Sequence, residues 1–526
     1  MSQVDPAGVR AASAPYALAV PRPALLRALI AFLAGGALAA AFAPLDIWPL
    51  AILAPATLMW LWQDVSPREA ARLGFLFSFA TFAAGTYWLY ISIHGFGGAP
   101  LWVAFGLMFG LVSIMGLYQA ALGYVVARWL PRAGAGRYLL ALPASWLLVE
   151  WWRGWFLSGF SWLSLGYSQT DTWLAAFAPL AGVYGISGLL LVCAGALTAL
   201  VTGAPRLRLA ASVTFLVPWL VGAALYRHSW THPSGLAVSV AVVQGAIPQE
   251  QKWLDTNHDY TLALYRRLTE QVLGKAALIV WPESATADLA NDLVPYINSL
   301  YGEARAHGSA LLMGILRAEQ GSNGQVRYYN SVLGLGDTVS WYDKHHLVPF
   351  AEIFPVPQFV RSWLRLMSLP YSDFTPGAAQ QPPQPLAHLQ LGTTVCYEDA
   401  YGSSMLYVLP RADVLVNVTN DAWFGHSSAR HQHFQIARMR ALEAGRYMIR
   451  AANDGISGVI GPHGEVIDRA AEFVPLALVE KVIPYAGLTP YARLGNWLIV
   501  SLATLALAYG LWVRNDRGRR PQEGSP

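Results

Sequence analysis

The sequence predicts a chain in two parts, a multi-pass α-helical membrane domain of about eight transmembrane helices and an α/β domain. Composition is the first indication, because the 526 residues are 55% hydrophobic and only 13% charged, whereas soluble proteins carry about 25% charged residues. The second is that long apolar runs fill residues 23–226 and return at 494–513. The third is that the polar stretch between them alternates short apolar strands with amphipathic helices, a pattern typical of an α/β sandwich.

Eight apolar runs are long enough, or nearly so, to cross a hydrocarbon layer of about 30 Å. They lie at 24–43, 49–63, 73–92, 101–128, 138–157, 174–202, 209–226 and 494–513. The second run is short, and the fifth is interrupted by Glu150 and Arg153. Ionisable groups at membrane depth are costly and often functional, but this pair fits equally well a snorkelling pair in an aromatic belt. The sequence therefore predicts seven helices before the polar stretch and one after it.

The arginines predict the orientation of these helices. They stand at the start of the first run, after every second run and in the tail: Arg10, Arg22, Arg27, Arg68, Arg72, Arg128, Arg132, Arg137, Arg206, Arg208, Arg514, Arg517, Arg519 and Arg520. The opposite loops, at 44–49 and 94–100, contain neither Lys nor Arg. Since short cytoplasmic loops retain Lys and Arg, both termini are expected in the cytoplasm and the polar stretch outside. A cleaved signal peptide over 24–43 is the alternative, because Ala-Ala-Ala-Phe-Ala resembles a cleavage site.

The runs and the charges divide the chain into five parts. They are a cytoplasmic tail at 1–22, seven transmembrane helices at 23–230, an α/β domain at 231–490, an eighth transmembrane helix at 491–513 and a basic cytoplasmic tail at 514–526. The net charge of +4 is dispersed rather than clustered, which argues against nucleic-acid binding. With only two cysteines, neither a disulfide framework nor a cysteine-rich zinc site is expected. Cys193 lies in an apolar run and is interpreted as inert packing.

Within the polar stretch, hydrophobic periodicity predicts strands at 236–243, 277–281, 310–315, 331–335, 392–395, 414–418 and 458–460, and helices at 257–273, 293–307 and 429–447. Two candidate reactive residues follow strands directly. Glu283 follows Leu-Ile-Val-Trp-Pro, and Cys396 follows Gly-Thr-Thr-Val. Active groups favour such positions because the sheet holds the backbone rigid while the next turn exposes the side chain.

Glu283, Lys344 and Cys396 supply a base, a cation and a thiol, which together suffice for acyl transfer. A thiol with a pKa of about 8.5 is only a few per cent thiolate at neutral pH and needs a base beside it. Taken singly, each residue also has an ordinary interpretation, as a solvated carboxylate, a surface charge or a buried apolar filler. No metal or other cofactor is expected, because the histidine pairs at 345–346 and 431–433 have no acidic or thiol partner at ligand spacing.

Six motifs in the chain resemble a known family. They are Val-Gln-Gly-Ala-Ile-Pro-Gln at 243–249 with Trp253, Trp-Pro-Glu-Ser at 281–284, Lys-His-His-Leu-Val-Pro-Phe-Ala-Glu at 344–352, Cys-Tyr-Glu at 396–398, Asn-Asp-Ala-Trp-Phe-Gly at 420–425, and His-Gln-His-Phe-Gln-Ile-Ala-Arg-Met-Arg-Ala-Leu-Glu at 431–443. Glu, Lys and Cys in this order resemble the catalytic set of the carbon-nitrogen hydrolase, or nitrilase, superfamily, which is carried by an α-β-β-α sandwich. With the eight-helix frame, nearly the whole chain is similar to the apolipoprotein N-acyltransferase family. One small departure is Phe-Ala-Glu at 350–352, where Phe-Gly-Glu is expected.

The resemblance implies roles for eight residues. It makes Glu283 the general base, Lys344 the cation that stabilises the oxyanion, and Cys396 the nucleophile. Glu352 resembles the family's second glutamate, which orients Lys344 and keeps it charged. Four further residues resemble substrate-gating or site-supporting positions: Trp253, Tyr397, Glu398 and Trp423. Large aromatic residues are more often packing, so this second interpretation stays open for the aromatic members.

The reaction that the resemblance implies is a ping-pong acyl transfer in a bacterial inner membrane. A phospholipid would donate its acyl chain to Cys396 as a thioester, and the α-amino group of a diacylglyceryl-modified apolipoprotein cysteine would accept it. The expected partners are therefore the phospholipid, the apolipoprotein and the bilayer, with the enzyme as a monomer. A membrane-anchored amidase that hydrolyses its thioester is the first alternative. A transporter or scaffold with an inert domain is the second, although the spans contain no further ionisable pair at mid-depth.

A short amphipathic segment at 359–369 is a candidate membrane lid. Its apolar residues fall at helical spacing, at Val360, Trp363, Leu364 and Met367, with Arg361 and Arg365 on another face. The same pattern fits a helix that covers the core of the α/β domain. Both interpretations are kept at this point.

Overall fold

The computed structural model of the protein describes residues 23–131, 134–321, 324–349, 351–353 and 374–519. The predicted segment at 359–369 lies outside these described residues, as does the cytoplasmic tail predicted at 1–22 and the end of the basic tail. In residues 513–519 the backbone is described and the side chains are not.

Apolar helices form the first half of the chain. They are α1 (Ala24–Leu38), α2 (Leu50–Leu61), α3 (Pro67–Gly85), α4 (Trp88–Tyr90), α5 (Leu101–Trp129), α6 (Leu142–Arg153), α7 (Ala178–Thr202) and α8 (Pro205–Leu225). Among the described residues, four helices are long and apolar enough to cross a membrane, at Ala24–Ala41, Leu101–Trp129, Trp173–Thr202 and Pro205–Leu225. A fifth is added if α3 and the segment Trp88–Phe96, which are bent by 54°, count as one span. This part of the chain therefore fits a membrane domain, and the count of eight spans stays a prediction.

Local sequence explains how these helices begin and approach one another. At the start of α3, the Ser66 hydroxyl accepts the backbone N–H of Glu69 at 3.2 Å, and Pro67 occupies the first turn, where its missing N–H costs nothing. A side chain at Gly74 would collide with the carbonyl of Gln119 on α5. Small residues at such crossings let helix backbones pack closely, as is usual inside membranes.

The rest of the chain is mainly an α/β domain. Its strands are β1 (His232–Pro233), β2 (Val238–Gln244), β3 (Leu278–Val280), β4 (Ala310–Gln320), β5 (Val326–Leu335), β6 (Val339–Asp343), β7 (Gln384–Leu386), β8 (Leu389–Val395), β9 (Val414–Thr419), β10 (Met448–Ala452), β11 (Gly458–Ile460), β12 (Val466–Arg469), β13 (Leu476–Val482) and β14 (Tyr485–Ala486). The helices are α9 (Gln249–Lys252), α10 (His258–Glu270), α11 (Val294–Ala306), α12 (Ala429–Ala444), α13 (Pro490–Leu494) and α14 (Trp497–Arg519).

Two six-stranded sheets stack face to face in this domain. One has the order β13-β2-β3-β4-β5-β6 and the other the order β12-β11-β10-β9-β8-β7. Strands β2, β3 and β4 run parallel, as do β8, β9 and β10. The facing surfaces bury residues such as Val242, Val280, Val416 and Ile449, while α10 and α11 cover the outside of the first sheet. The α-β-β-α layering predicted from the sequence is thus present.

Helix α12 covers the second sheet and also packs against the membrane domain. Ala437 and Ala441 face the sheet, and Met439 and Leu442 join the core of the apolar helices. Polar contacts reinforce this second face: the indole N–H of Trp162 donates to Gln432 Oε1 at 2.8 Å. The helix predicted at 429–447 ends earlier in the structure, at Ala444. The chain then enters β10, a strand that the sequence pattern does not predict.

Candidate active site

The three predicted reactive residues all lie just beyond the carboxyl ends of strands. Glu283 follows β3 by three residues, Lys344 follows β6 directly, and Cys396 follows β8 directly. All three are buried, with exposed fractions of 7%, 1% and 9%. Because the two sheets stack, the ends of β3, β6 and β8 come to one edge of the sandwich, and Glu283 and Lys344 are the two strongest charged influences on the Cys396 thiol.

One lysine is shared between two carboxylates in this site. Lys344 Nζ lies 3.3 Å from Glu283 Oε1 and 2.9 Å from Glu352. Asn330 Nδ2 bridges the same two groups, donating at 2.7 Å to Glu283 Oε1 and at 2.9 Å to Glu352 Oε1. The backbone N–H of Asn420 donates to Glu283 Oε2 at 3.0 Å. Every oxygen of Glu283 is therefore held, which fixes the carboxylate as a base must be fixed.

The charges in the site set the protonation of the cation and the thiol. Burial by itself lowers the pKa of Lys344, but the carboxylates of Glu283 and Glu352 outweigh it and raise the pKa well above the ordinary value. The pKa of Cys396 is also raised, mainly by burial and then by Glu283, and Lys344 opposes this only in part. The resting site thus holds an ammonium and a neutral thiol, so the thiol needs a base at the moment of attack.

Glu398 ties the turn of the nucleophile to the turn of the lysine. Its Oε1 accepts the backbone N–H groups of His345 at 2.7 Å and His346 at 3.0 Å. Its Oε2 accepts the N–H of Val395 at 2.8 Å and the hydroxyl of Tyr342 at 3.0 Å. Burial raises the pKa of Glu398, and the three backbone N–H donors and the charge of Lys344 oppose the rise. The carboxylate connects the residues that flank Lys344 and Cys396, which is a positioning role.

The backbone at Cys396 is held in an unusual conformation. Cys396 has φ of 53°, a left-handed value that costs about 1 kcal/mol or more for a residue with a side chain. Its carbonyl accepts Asn417 Nδ2 at 2.9 Å and lies 3.3 Å from His433 Nε2. Such strain persists only where surrounding contacts determine it.

A closed ring of buried charges supports this turn, and we call it the support cluster. It consists of Asp399, Asp421, His433 and Arg450, each at most 1% exposed. The distances are 3.1 Å for His433 to Asp399, 2.8 Å for His433 to Asp421, 3.2 Å for Arg450 to Asp399 and 3.0 Å for Arg450 to Asp421. Burial and Arg450 lower the pKa of His433, but the two aspartates dominate and raise it to about 9.

The predicted aromatic residues lie around the site rather than within the charge network. The hydroxyl of Tyr397 is hydrogen-bonded to that of Tyr401, which donates to the carbonyl of Ser158 in the membrane domain at 2.8 Å. Trp253 and Trp423 are 48% and 37% exposed. Neither indole makes a hydrogen bond to Glu283, Lys344 or Cys396 within the described residues. The structure therefore brings Glu352 and Glu398 to the reactive groups and leaves the two tryptophans at the rim.

Several site residues were not identified from the sequence. Asn330 bridges the two carboxylates, Lys252 lies behind Glu283, and Asp399 and Arg450 complete the support cluster. Asn330 stands in the run Tyr-Tyr-Asn-Ser, just before a predicted strand. A polar residue at the start of a buried strand is a signal that could have indicated a site residue. Lys252 precedes Trp253 in a polar stretch and looks like an ordinary surface lysine. His433 stands in the family motif at 431–443, but the sequence assigns it no role, and a zinc site is not expected there.

Two parts of the chain match the sequence models of known families, and these matches define the class of protein. Residues 239–486 match the sequence model of the carbon-nitrogen hydrolase family, and residues 34–196 match that of the apolipoprotein N-acyltransferase N-terminal domain. The chain is thus a carbon-nitrogen hydrolase domain joined to a membrane domain.

Full-length relatives then identify the family. An apolipoprotein N-acyltransferase of Azotobacter vinelandii is 39% identical over 95% of this chain and 98% of its own. That of Methylococcus capsulatus is 38% identical over 95% and 99%, and that of Chromobacterium violaceum is 39% identical over 94% and 96%. The chain belongs to the apolipoprotein N-acyltransferase family, as its motifs predict.

Proposed function

We propose that this protein transfers a fatty acyl chain from a membrane phospholipid to the α-amino group of the N-terminal, diacylglyceryl-modified cysteine of apolipoproteins. The observation that carries the proposal is the buried Glu283–Lys344 pair beside the Cys396 thiol, in a chain whose other half consists of apolar helices. Family membership supports the same reaction. The site geometry alone would also suit an amidase, so the acyl acceptor is the point that an experiment must decide.

The first half-reaction makes a thioester. Glu283 takes the proton from Cys396 Sγ as sulfur attacks the ester carbonyl of the phospholipid. The carbonyl π electrons move to oxygen, and Lys344 stabilises this oxyanion. As the oxyanion collapses, the C–O bond to glycerol breaks and Glu283 returns the proton to the leaving oxygen. A lysophospholipid departs, and the acyl chain remains on Cys396.

The second half-reaction reuses the same groups. The neutral α-amine of the apolipoprotein cysteine attacks the thioester carbonyl, and Glu283 takes a proton from the attacking nitrogen. Lys344 again holds the oxyanion. When the C–S bond breaks, the proton goes to Cys396 Sγ, so an amide and the resting thiol are formed. One base and one cation thus serve both steps, and no cofactor is consumed.

The acyl donor requires a site next to the bilayer. Burying about sixteen methylene groups is worth about 0.8 kcal/mol each, or about 13 kcal/mol in total, so a phospholipid chain does not leave the membrane readily. The nucleophile turn contacts the membrane domain directly: Ser161 Oγ donates to the carbonyl of Ala400 at 3.0 Å. Tyr401, five residues after Cys396, bonds to Ser158. This contact between the Cys396 turn and the membrane domain supports delivery of the lipid directly from the bilayer.

The proposal includes the topology predicted from the arginines. Eight helices span the bacterial inner membrane, residues 231–490 form the periplasmic catalytic domain, both termini are cytoplasmic, and the enzyme is a monomer. A reporter that fluoresces only in the cytoplasm, fused after residue 526, is expected to be fluorescent. The same reporter inserted in the loop at 94–100 is expected to be dark. A dark C-terminal fusion would contradict the orientation.

The remaining predicted residues are assigned supporting roles. Glu352 orients Lys344 through their 2.9 Å ion pair, and Glu398 positions the turns on either side of the site. Tyr397 is proposed to line the acyl site. Trp253 and Trp423, at the rim, are proposed to guide the substrates.

Mass spectrometry of the purified enzyme incubated with phospholipid alone tests the proposal. We expect an acyl adduct on Cys396 that is absent from Cys396→Ala and is discharged by a diacylglyceryl lipopeptide. Cys193→Ala is the matched control and should acylate normally, because that thiol is buried among apolar helices. Discharge by water as fast as by lipopeptide would favour the amidase instead.

A further inference from the structure

A second buried lysine contacts the backbone of the proposed general base, Glu283. Lys252, the last residue of α9, is 2% exposed, and its Nζ donates to the backbone carbonyl of Glu283 at 3.4 Å. No carboxylate of the described chain forms an ion pair with it. A buried ammonium that lacks a direct counter-ion is unfavourable unless nearby charge compensates it, and Glu283 supplies the compensating field.

The charge balance of the site gives this lysine a function. Glu283 and Glu352 carry two negative charges, and Lys344 supplies one positive charge between them. The support cluster balances itself, with two aspartates against Arg450 and a protonated His433. The Glu398 carboxylate is held by four hydrogen-bond donors of its own and is not part of this count. Without another cation, Glu283, Glu352 and Lys344 together would keep one excess negative charge. That excess would disfavour both the departing thiol proton and the oxyanion, which each add negative charge.

The segment that carries Lys252 is tied to Glu283 independently. Gln249, at the start of α9, accepts Asn420 Nδ2 at 2.9 Å, and the N–H of Asn420 donates to Glu283 Oε2 at 3.0 Å. The backbone N–H of Lys252 donates to the carbonyl of Pro248 at 3.1 Å. The single turn of α9 therefore holds Lys252 inward, while the next residue, Trp253, is exposed.

We propose that Lys252 is a positioning residue for the general base: its ammonium, bonded to the backbone of Glu283, offsets the charge of Glu352, so that the site can take up the negative charge that forms on sulfur and on the oxyanion. The catalytic cluster is accordingly Glu283, Glu352, Lys344 and Lys252, with zero net charge before substrate binds. This inference rests on the proposed function, in which Glu283 is the base.

The titration of Lys252 makes its contribution measurable. Burial lowers the pKa of Lys252 to about 8, and Glu283 opposes the shift. The charged groups that face Glu283 are Lys344 and Lys252, with Glu352 beyond Lys344 and the Cys396 thiol opposite. The ammonium of Lys252 is the one that is lost first as the pH rises, because the pKa of Lys344 is raised.

The test is single-turnover thioester formation by the full-length enzyme with phospholipid in detergent micelles, followed from about pH 5 to about pH 9. For Lys252→Met we expect a rate at least about ten-fold lower near neutral pH and no further decline above about pH 8, because the charge that titrates there is already absent. Lys252→Arg should keep the neutral rate and lack the decline that the wild type shows above about pH 8, since Arg does not lose its proton. Lys275→Met, at an exposed lysine, is the matched control and should match the wild type.

Two results would overturn the inference. One is a Lys252→Met rate equal to that of the wild type near neutral pH, and the other is a Lys252→Arg profile that declines above about pH 8 as the wild type does. If Lys252→Met has no thermal unfolding transition, the Lys252→Arg profile decides alone. Failure of the wild type to form any thioester above the Cys396→Ala blank would instead contradict the proposed function.

Discussion

The catalytic cluster and the support cluster lie at the same edge of the sandwich, yet their charges are paired in different ways. In the support cluster each aspartate contacts both cations, so the four charges form a closed ring. In the catalytic cluster Lys344 contacts both carboxylates, and Lys252 reaches only the backbone of Glu283. The first arrangement satisfies every charge, and the second leaves the base able to accept a proton.

This difference in pairing explains why the catalytic cluster is expected to react and the support cluster to hold the backbone of Cys396 in place. Closed ion pairs deep in a protein are costly to break, because removing one partner leaves an uncompensated charge. The support cluster can therefore keep the strained backbone of Cys396 in place without taking part in proton transfer. In the proposed mechanism the catalytic cluster changes its charge during every turnover, as Glu283 takes up and returns a proton.

The largest expected effect comes from removing the base of the catalytic cluster. Glu283→Gln should slow thioester formation by about 10²- to 10⁴-fold, the usual contribution of a general base. The amide keeps much of the side-chain shape but cannot take the thiol proton. Acyl-adduct formation measured against time checks this, with Glu319→Gln, at an exposed carboxylate, as the control. A loss of less than about ten-fold would assign the base elsewhere.

Opening the support cluster should affect stability more than chemistry. Arg450→Met leaves Asp399 and Asp421 with His433 alone, and such broken buried pairs cost about 3–5 kcal/mol. Thermal unfolding in detergent should shift to a clearly lower temperature, whereas Arg469→Met, at an exposed arginine, should not change it. An unfolding temperature for Arg450→Met equal to that of the wild type would show that the ring carries little free energy.

The same cluster predicts how stability depends on pH. The pKa of His433 is raised to about 9 from an ordinary 6.5, so its stabilising contribution is full below about pH 6.5 and is lost as the pH rises through about 9. The unfolding temperature should therefore fall across this window. His433→Gln should be less stable at neutral pH and should lack most of that fall. A variant that keeps the whole wild-type dependence would show that other groups cause it.

The smallest effect is expected at Glu398, the carboxylate that joins the turn of Lys344 to the turn of Cys396. Tyr342→Phe removes one of the four donors to Glu398, a loss of about 1 kcal/mol for a net hydrogen bond. Thioester formation should slow by about five-fold at most, with little change in the unfolding temperature. Tyr328→Phe, at an exposed tyrosine, serves as the comparison. A large rate loss at Tyr342 would mean that Glu398 does more than position the turns.

The proposed reactive groups could be predicted from the sequence, but the residues around them could not. Glu283 and Cys396 were recognisable because each follows a short apolar strand, and Glu352 and Glu398 came from the family motifs. Asn330 and Lys252 had no such pattern, because a buried polar residue with a distant partner resembles a surface residue in sequence. Strand β10 was missed for a related reason: Arg450 interrupts its apolar run, and its charge is tolerated only because two aspartates surround it.

The sequence by itself determined that the chain is divided between apolar helices and an α/β sandwich, since the length of apolar runs and the period of buried residues are local properties. It also determined which side chains supply a base, a cation and a thiol. Only the tertiary structure decided the pairing of the charges. Lys252, Glu283, Lys344 and Arg450 are far apart along the chain, and their distances exist only once the two sheets have stacked and brought the strand ends to one edge.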